Sequence, residues 1–442
     1  MNPPAENSAD RRREGSRLTD GEKELRRGSD SWIARIAAGL TPRRIRAHAF
    51  ILAVCLWGVC AFDYATPGLF DRAGNLKFQD FLPLYISARM VSQHHAVQLY
   101  ESNIVAAEEQ GIANQPSLRL PLLYGPQVGL CFVPLTRLPF FSAAEVWAVF
   151  SVFIYFVCVY FCWRACTAFR ANWGIVILCA VAYPPLYHSS VRGQLSAVCL
   201  LCFTAAFFAL RAKRLLLAGV FMGLLVFKPQ FLVAIPLVLL LARAWKVVFG
   251  LVLASIGQLI FAWLYFGAEV LRQYLEMLRN TPDWVHAAEL SLAPIQMHSL
   301  RAFWTLLIPW SGVVWTLYIL SSIGVIAVAA MIWKSKACLE LRFSALMISA
   351  VLVDPHIFIY DLLVLAPMFL LLANWSTQRT SDSHAAPMSI LLYLAFLVPL
   401  FGPISRWTHV QLSVLIFVGL LWTLSRIAND SSTLATPEPS VV

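Results

Sequence analysis

Long apolar runs recur along most of the chain, and short polar turns separate them. A bilayer core of about 30 Å needs about 20 mostly apolar residues per helix, and fewer where a helix is enclosed by others. The pattern therefore predicts an all-α polytopic membrane protein with eleven to thirteen transmembrane helices. The predicted spans are residues 47–65, 142–163, 173–188, 194–210, 214–227, 229–242, 247–267, 312–333, 342–354, 359–373, 387–404 and 409–425.

The two ends of the chain differ from this apolar middle. Residues 1–30 are rich in charged side chains and poor in large apolar ones, which predicts a disordered cytoplasmic tail. Residues 31–40 have the helical spacing of a segment that lies on the inner leaflet, beside Arg43, Arg44 and Arg46. The predicted divisions are a basic tail over residues 1–46, a transmembrane catalytic domain over 47–426 and a disordered cytoplasmic tail over 427–442.

Composition and charge also indicate that most of the chain lies in a lipid bilayer. Hydrophobic residues make up 59% of the chain and charged residues 13%, whereas soluble domains average about 25% charged residues. An ordinary soluble enzyme is thereby excluded. Of the 34 basic residues, 23 fall in the amino-terminal tail and in alternate turns, which the positive-inside bias assigns to the cytoplasm. We expect a plasma-membrane protein with a cytoplasmic amino terminus, and no nucleic-acid partner.

Two long segments, residues 66–141 and 268–311, are predicted on the outer face. An unstructured loop as long as the first is uncommon unless it is functional or disordered. Its apolar residues recur at helical spacing after Asp80, with Pro83 in the first turn, where a missing N–H costs nothing. We therefore expect helices of this loop to rest on the outer membrane surface. The residues at this spacing are Phe81, Leu84, Tyr85, Ala88 and Val91.

Asp80 has two compatible interpretations. It could cap the helix that follows, since an aspartate at that position accepts backbone hydrogen bonds and contributes about 1 kcal/mol. It could also be a general base, because the amino terminus of a helix favours the carboxylate and holds its geometry.

Arg192 and Lys228 stand in short turns that the topology places on the outer side. Each alone could anchor the protein by reaching a lipid headgroup. Because both lie at the same end of adjacent helical hairpins, they also predict a phosphate site, in which arginine offers a planar fork and lysine a point charge. Gln194 would add a neutral donor.

A third outer turn, DPHIFIYDLL over residues 354–363, carries Asp354, His356, Tyr360 and Asp361. These side chains leave open a zinc or manganese site, although the chain has no HExxH-type spacing. A glycine-rich phosphate loop and a GxSxG elbow are also absent from the sequence.

Several segments occur in the order found in a known family. They are QDFLPLYISARMV with QLYE, LYGPQVGLCFVPLTRLP with AEVW, RGQLSAVCLL, LAGVFMGLLVFKPQFL with RAWK, and DPHIFIYDLLVLAP. Together these segments resemble glycosyltransferase family 87, the membrane-embedded transferases of the GT-C type, over roughly residues 50–375. The resemblance implies a GT-C-like bundle that uses a polyprenyl-phosphate sugar as donor.

The resemblance also implies roles for individual residues. Asp80 matches the first-loop aspartate that takes the proton from an acceptor hydroxyl, while Arg192 and Lys228 would face the donor phosphate and His356 would line the same cavity. A phosphate leaving group needs no general acid, so one carboxylate and these cations suffice for an inverting displacement. No cofactor is predicted, and the transfer does not require a divalent metal. The other predicted binding residues are Gln194, Tyr360 and Asp361.

The predicted function is the transfer of a hexose, with mannose as the candidate sugar, to a lipid or glycan acceptor at the outer face. The predicted partners are then membrane lipids, the lipid-linked donor and the acceptor. A transporter or flippase of a lipid-linked saccharide is the main alternative, because about twelve spans also fit a transporter. A non-catalytic scaffold that retains the fold is the third.

Overall fold

The computed structural model describes residues 32–280 and 283–433, whose regular structure is almost entirely helical. The first helix, α1, covers residues 32–39. The other α-helices are α2 (Pro42–Tyr64), α3 (Leu82–Ser92), α4 (Ser102–Ala113), α5 (Pro126–Phe132), α6 (Phe140–Ala165), α7 (Trp173–Val181), α8 (Pro184–Arg192), α9 (Ser196–Arg211), α10 (Leu215–Gly223), α11 (Ala234–Leu241), α12 (Trp245–Arg279), α13 (Asp283–Gln296), α14 (Leu300–Leu307), α15 (Ser311–Lys334), α16 (Leu339–Val353), α17 (Ala366–Gln378), α18 (Ala385–Leu397), α19 (Gly402–Thr408) and α20 (Leu412–Thr433).

Seven helical segments of the described residues are long and apolar enough to cross a membrane. The number rises to eight if the bent pair Thr167–Val181 and Pro184–Arg192, whose axes differ by 50°, forms one span. Three other apolar helical segments are shorter: Ser196–Arg211, Leu215–Phe227 and Pro229–Leu241. The protein is therefore an all-α polytopic membrane protein, as the hydrophobic pattern predicts. The seven long segments are Pro42–Tyr64, Phe140–Ala165, Trp245–Arg279, Ser311–Lys334, Ile359–Gln378, Ala385–Thr408 and Leu412–Asp430.

The predicted count of eleven to thirteen spans treats every apolar run as a full crossing. Every predicted run is helical within the described residues, but several helices are too short to cross a bilayer alone. Helix α16, for example, has 15 residues and is buried along almost its whole length, and at 1.5 Å per residue it reaches only about 22 Å. Such helices are enclosed by the bundle, and the predicted count includes them together with the seven long segments.

Helices α10 and α12 pack backbone against backbone. A Cβ atom on Gly219 would lie 2.0 Å from the carbonyl oxygen of Val247, and one on Gly250 would lie 2.1 Å from that of Leu216. Small residues allow this close approach between helices in a membrane, where no hydrophobic force drives helix association. The contact holds the short α10 in place, and with it the turn that carries Lys228.

The first loop, residues 66–141, folds into a compact unit around α3. The predicted helix is present, but Phe81, Leu84 and Ala88 are completely buried, because α5 and the 3₁₀ turn Val133–Arg137 pack over it. The expectation that α3 rests on the membrane surface is therefore wrong. Helix α4 has the amphipathic character of a surface helix, since it buries one face and exposes the other.

The second loop, residues 268–311, contains the end of α12 together with α13 and α14. Helix α12 is interrupted at Gly267, whose φ is 86°, immediately before this loop. An antiparallel bridge joins Met297 to Phe358, and the N–H of His298 donates to the carbonyl oxygen of Ile357 over 3.0 Å. The second loop is thereby tied to the turn that precedes α17.

The predicted tails are only partly within the described residues. The amino-terminal tail over residues 1–30 lies outside them, and the helix predicted from the spacing of residues 31–40 is present as α1. In the predicted tail over 427–442, helix α20 continues through Ile427, whose buried side chain packs in the core. The start of that segment is thus helical, while residues 434–442 lie outside the described residues.

Candidate active site

A 3₁₀ turn, Gln79–Phe81, carries Asp80 at the entrance to α3 and packs against the turn between α8 and α9. Gly193 of that second turn has a φ of 74°, and a Cβ atom there would lie 2.7 Å from the Cβ of Phe81. The position thus requires glycine for both its conformation and its contact. This close approach brings Gln194 next to Asp80.

The Asp80 carboxylate faces two donors from the α8–α9 turn. Nε2 of Gln194 donates to Oδ2 over 2.7 Å, and Nη1 of Arg192 lies 3.7 Å from the same oxygen. The N-cap position of α3 is Phe81, and no side chain bonds there. The N-cap interpretation of Asp80 is therefore wrong, because the carboxylate turns toward α8 and α9. Within the described chain, no hydrogen bond is donated to its Oδ1.

A chain of hydrogen bonds extends from Asp80 back into the first loop. The Tyr124 hydroxyl donates to Oε1 of Gln194 over 3.1 Å, while Tyr100 donates to the backbone carbonyl of Tyr124 over 2.8 Å. Burial raises the pKa of Tyr124, so its hydroxyl keeps its proton at neutral pH. The hydrogen bonds therefore run in one direction: Tyr124 donates to Gln194, and Gln194 donates to Asp80.

Arg192 connects the two long loops. Besides Asp80 of the first loop, its Nη2 contacts Oε1 of Gln296, from α13 of the second loop, at 3.2 Å. The side chains of Arg192 and Asp80 are 28% and 19% exposed. Both members of this pair are therefore partly open to solvent.

Lys228 and Asp361 form a buried ion pair, with side chains only 4% and 1% exposed. Ser196 donates to Oδ1 of Asp361 over 3.1 Å, and the backbone N–H of Phe358 donates to its Oδ2 over 3.3 Å. The Lys228 ammonium also lies 5.4 Å from the centre of the Tyr360 ring, which stacks on Phe358. The pair thus joins the start of α9, the turn after α10 and the turn before α17.

His356 contacts the second loop. Its Nδ1 lies 3.4 Å from Nη1 of Arg301, and its backbone N–H donates to Oδ1 of Asp354 over 2.8 Å. The Arg301 guanidinium also lies 5.2 Å from the centre of the Trp315 ring. Arginine can only donate, so any hydrogen bond in this contact runs from Arg301 to Nδ1 of His356.

The predicted site residues gather at one end of the bundle in three neighbouring groups. The α8–α9 turn links the first two, since Arg192 and Gln194 contact Asp80 while Ser196 contacts Asp361. The turn before α17 links the second to the third, which contains His356. The groups are Asp80, Arg192 and Gln194; Lys228, Tyr360 and Asp361; and His356 with Asp354 and Arg301.

Four contacting residues were not among those predicted for the site. Ser196 follows Arg192 and Gln194 at alternate positions and could have been identified with them. Tyr124 belongs to the LYGP segment, but nothing in that segment indicates a contact with Gln194. Gln296 and Arg301 come from a loop whose fold the sequence does not predict. The four are Tyr124, Ser196, Gln296 and Arg301.

A metal centre in the turn over residues 354–363 is not supported by the geometry. Within the described chain, no group of three or more histidine, cysteine, aspartate or glutamate side chains could hold a metal ion. Asp361 is engaged by Lys228 and Ser196 instead, so the acids and histidine of the turn do not converge.

Comparison with known proteins identifies one family. The model of glycosyltransferase family 87 matches residues 122–365, more than half of the chain. The matched range includes every predicted site residue except Asp80, which lies before it. No curated protein and no solved structure matches the chain.

Proposed function

The chain belongs to glycosyltransferase family 87, and we propose that it is a GT-C enzyme that transfers a hexose from a polyprenyl-phosphate donor to a lipid or glycan acceptor. Mannose is the candidate sugar. The observation that carries the proposal is the partly exposed Asp80 carboxylate, with one oxygen held by Gln194 beside Arg192. A carboxylate and a cation that a substrate can reach are what sugar transfer from a phosphate requires.

The proposed reaction is a single displacement with Asp80 as general base. The acceptor hydroxyl loses its proton to Oδ1 of Asp80, and its oxygen bonds to the anomeric carbon of the donor sugar. The bond from that carbon to the phosphate oxygen breaks, and the electron pair leaves with the polyprenyl phosphate. Attack opposite to the leaving group inverts the anomeric centre.

Arg192 is proposed to bind the donor phosphate. Negative charge accumulates on the leaving phosphate as the bond breaks, and a positioned guanidinium stabilises it through a planar pair of donors. The contact of Arg192 with Gln296 and its partial exposure support this role. Because the leaving group departs as an anion, the reaction needs neither a general acid nor a metal cofactor.

The other predicted residues are proposed to complete the donor site. His356 would line the donor cavity beside Arg301, whose guanidinium it contacts. Tyr360 and the Lys228–Asp361 pair would shape the cavity, because the Lys228 charge is already compensated by Asp361. A direct contact of Lys228 with phosphate would require that this buried pair be broken.

We place the site at the outer face of the plasma membrane. Both long loops and the turns of Arg192, Lys228 and His356 meet at one end of the bundle. Most of the other basic residues fall in the amino-terminal tail and in the turns assigned to the opposite face, and the positive-inside bias assigns that face to the cytoplasm.

The deciding experiment compares Asp80→Asn with Glu108→Gln. The purified protein is given a polyprenyl-phosphate hexose and a lipid acceptor extract, and products are identified by mass spectrometry. Loss of a general base lowers the rate by about 10²–10⁴-fold, so Asp80→Asn is expected to be nearly inactive. Glu108 is an acid of the same loop that pairs with Arg89 at 3.7 Å, and its variant is expected to keep wild-type activity.

Full transfer by a monodisperse Asp80→Asn protein would reject the base assignment. Movement of a lipid-linked saccharide across vesicles without any sugar transfer by the wild type would instead favour a transporter.

A further inference from the structure

We infer that Tyr124 and Gln194 are positioning residues for Asp80, with Tyr124 orienting the side-chain amide of Gln194 and that amide orienting the carboxylate. The inference rests on the proposed function, in which Asp80 is the base. It assigns a role in the reaction to Tyr124, a residue of the first loop that would not itself touch the reacting atoms.

The direction of the hydrogen bonds supports this role. An ionised carboxylate can only accept, so the group of Gln194 that faces Oδ2 of Asp80 is the amide nitrogen. The amide oxygen then points the other way and needs a donor, which the Tyr124 hydroxyl provides at 3.1 Å. A rotated amide would place two acceptors against each other at Asp80. Tyr124 therefore stabilises the one orientation in which Gln194 can donate to the base.

The surroundings hold each member of the chain in place. Gln194 is only 6% exposed, so water does not readily replace either of its partners. Its turn is set by Gly193, whose carbonyl accepts from Nε1 of Trp147 over 3.1 Å. Tyr124 is anchored through its own carbonyl by Tyr100. Gln194 is thus supported through the α8–α9 turn, and Tyr124 is supported by another residue of the first loop.

In the proposed reaction, the two oxygens of Asp80 therefore have different roles. Gln194 and Arg192 both lie on Oδ2, and within the described chain no hydrogen bond reaches Oδ1. With Oδ2 held, the carboxylate cannot rotate freely, and Oδ1 keeps one direction toward an acceptor hydroxyl. Fixing a catalytic group in its productive orientation is a large source of rate enhancement.

The test uses Tyr124→Phe, Gln194→Leu and the double variant, with kcat and the KM for the donor measured for each. Removing one hydrogen bond from the chain is expected to lower kcat about tenfold in Tyr124→Phe, with the KM for the donor unchanged. Gln194→Leu is expected to lower kcat further, because Asp80 itself then loses a donor. The double variant should be no slower than Gln194→Leu, because the two residues act through one chain.

Tyr155→Phe is the matched control, since it also removes one buried tyrosine hydroxyl that donates a hydrogen bond, here to the backbone carbonyl of Ala180 at 3.0 Å. It is expected to leave kcat unchanged. A wild-type kcat in a folded Tyr124→Phe protein, with Asp80→Asn inactive, would overturn the inference while leaving the base in place. Additive losses in the double variant would also overturn it. Full activity of Asp80→Asn would reject the proposed function itself, which separates the two failures.

Discussion

Two ion pairs lie close together at the same end of this protein, yet their surroundings differ. Arg192 and Asp80 are 28% and 19% exposed and stand 3.7 Å apart, whereas Lys228 and Asp361 are 4% and 1% exposed. Solvent can reach the first pair. The second is enclosed, and loss of either partner would leave a buried charge without compensation.

The difference separates two cations that the sequence treats alike. Arg192 contacts Gln296 as well as Asp80, and its side chain is partly exposed. Lys228 is committed to Asp361, which in turn holds Ser196 and the backbone of Phe358. Under the proposed function, accessibility as well as charge distinguishes Arg192, the proposed phosphate-binding cation, from Lys228, whose ion pair joins three turns.

The largest effect is expected from breaking the buried pair. Lys228→Met leaves Asp361 buried and uncompensated, which costs about 3–5 kcal/mol of unfolding free energy. Thermal unfolding in detergent, followed by tryptophan fluorescence, measures the loss. Adding Asp361→Leu should recover much of it, because an apolar pair needs no compensation. A Lys228→Met protein that is as stable as the wild type but no longer binds the donor would instead support the phosphate role.

Substitutions in the exposed pair are expected to change the transfer activity and not the stability of the protein. Arg192→Gln should lower kcat/KM by about 10²–10³-fold, the usual cost of losing one group that stabilises developing charge, with little change in unfolding temperature. Arg192→Lys should retain part of the activity, since a point charge replaces a planar fork. Arg406→Gln removes an exposed cation from α19 and serves as the control. Equal effects of the two glutamine variants would contradict the assignment.

The backbone that brings Asp80 to Arg192 can be disturbed without changing either charge. Gly193→Ala forces alanine into a positive φ and against Phe81, a strain of about 1–3 kcal/mol. We expect transfer to fall together with stability, while Gly174→Ala, which meets nothing within 4 Å, changes neither. Wild-type transfer by Gly193→Ala would show that the close approach is not needed.

Glu109 extends the comparison to a buried carboxyl group whose described partner is a backbone N–H and not a cation. Glu109 is completely buried, accepts from the N–H of Leu120 at 2.9 Å, and has its pKa raised to about 7 by burial. The unfolded chain releases this proton near the ordinary value of 4.5, whereas the folded protein keeps it until about pH 7. The wild type should therefore lose stability relative to Glu109→Gln as the pH rises from 5 to 7, and little more above 8. Unfolding temperatures of the two proteins that stay parallel between pH 5 and 8 would refute this pH dependence of the stability difference.

Much of the fold was predictable because the bilayer imposes one strong condition on the chain. Backbone polar groups must bond internally in lipid, so apolar runs become helices, and each predicted run is helical here. Burial of α3 was not predictable, because its helical spacing is the same whether lipid or protein covers it. The enclosure of α16 was not predictable for a similar reason, since an apolar helix has the same sequence pattern whether lipid or neighbouring helices surround it.

The candidate site was likewise predictable only in part. The sequence by itself determined which groups lie at one end of the bundle, since charges are excluded from the apolar runs and collect in the turns. It placed Asp80, Arg192 and Lys228 together on that ground. Only the tertiary structure decided that Arg192 meets Asp80 while Lys228 is enclosed with Asp361, and that Tyr124 reaches Gln194 across 70 positions. Such pairings depend on how distant segments pack, and burial, which sets whether a charge is available, is a property of that packing.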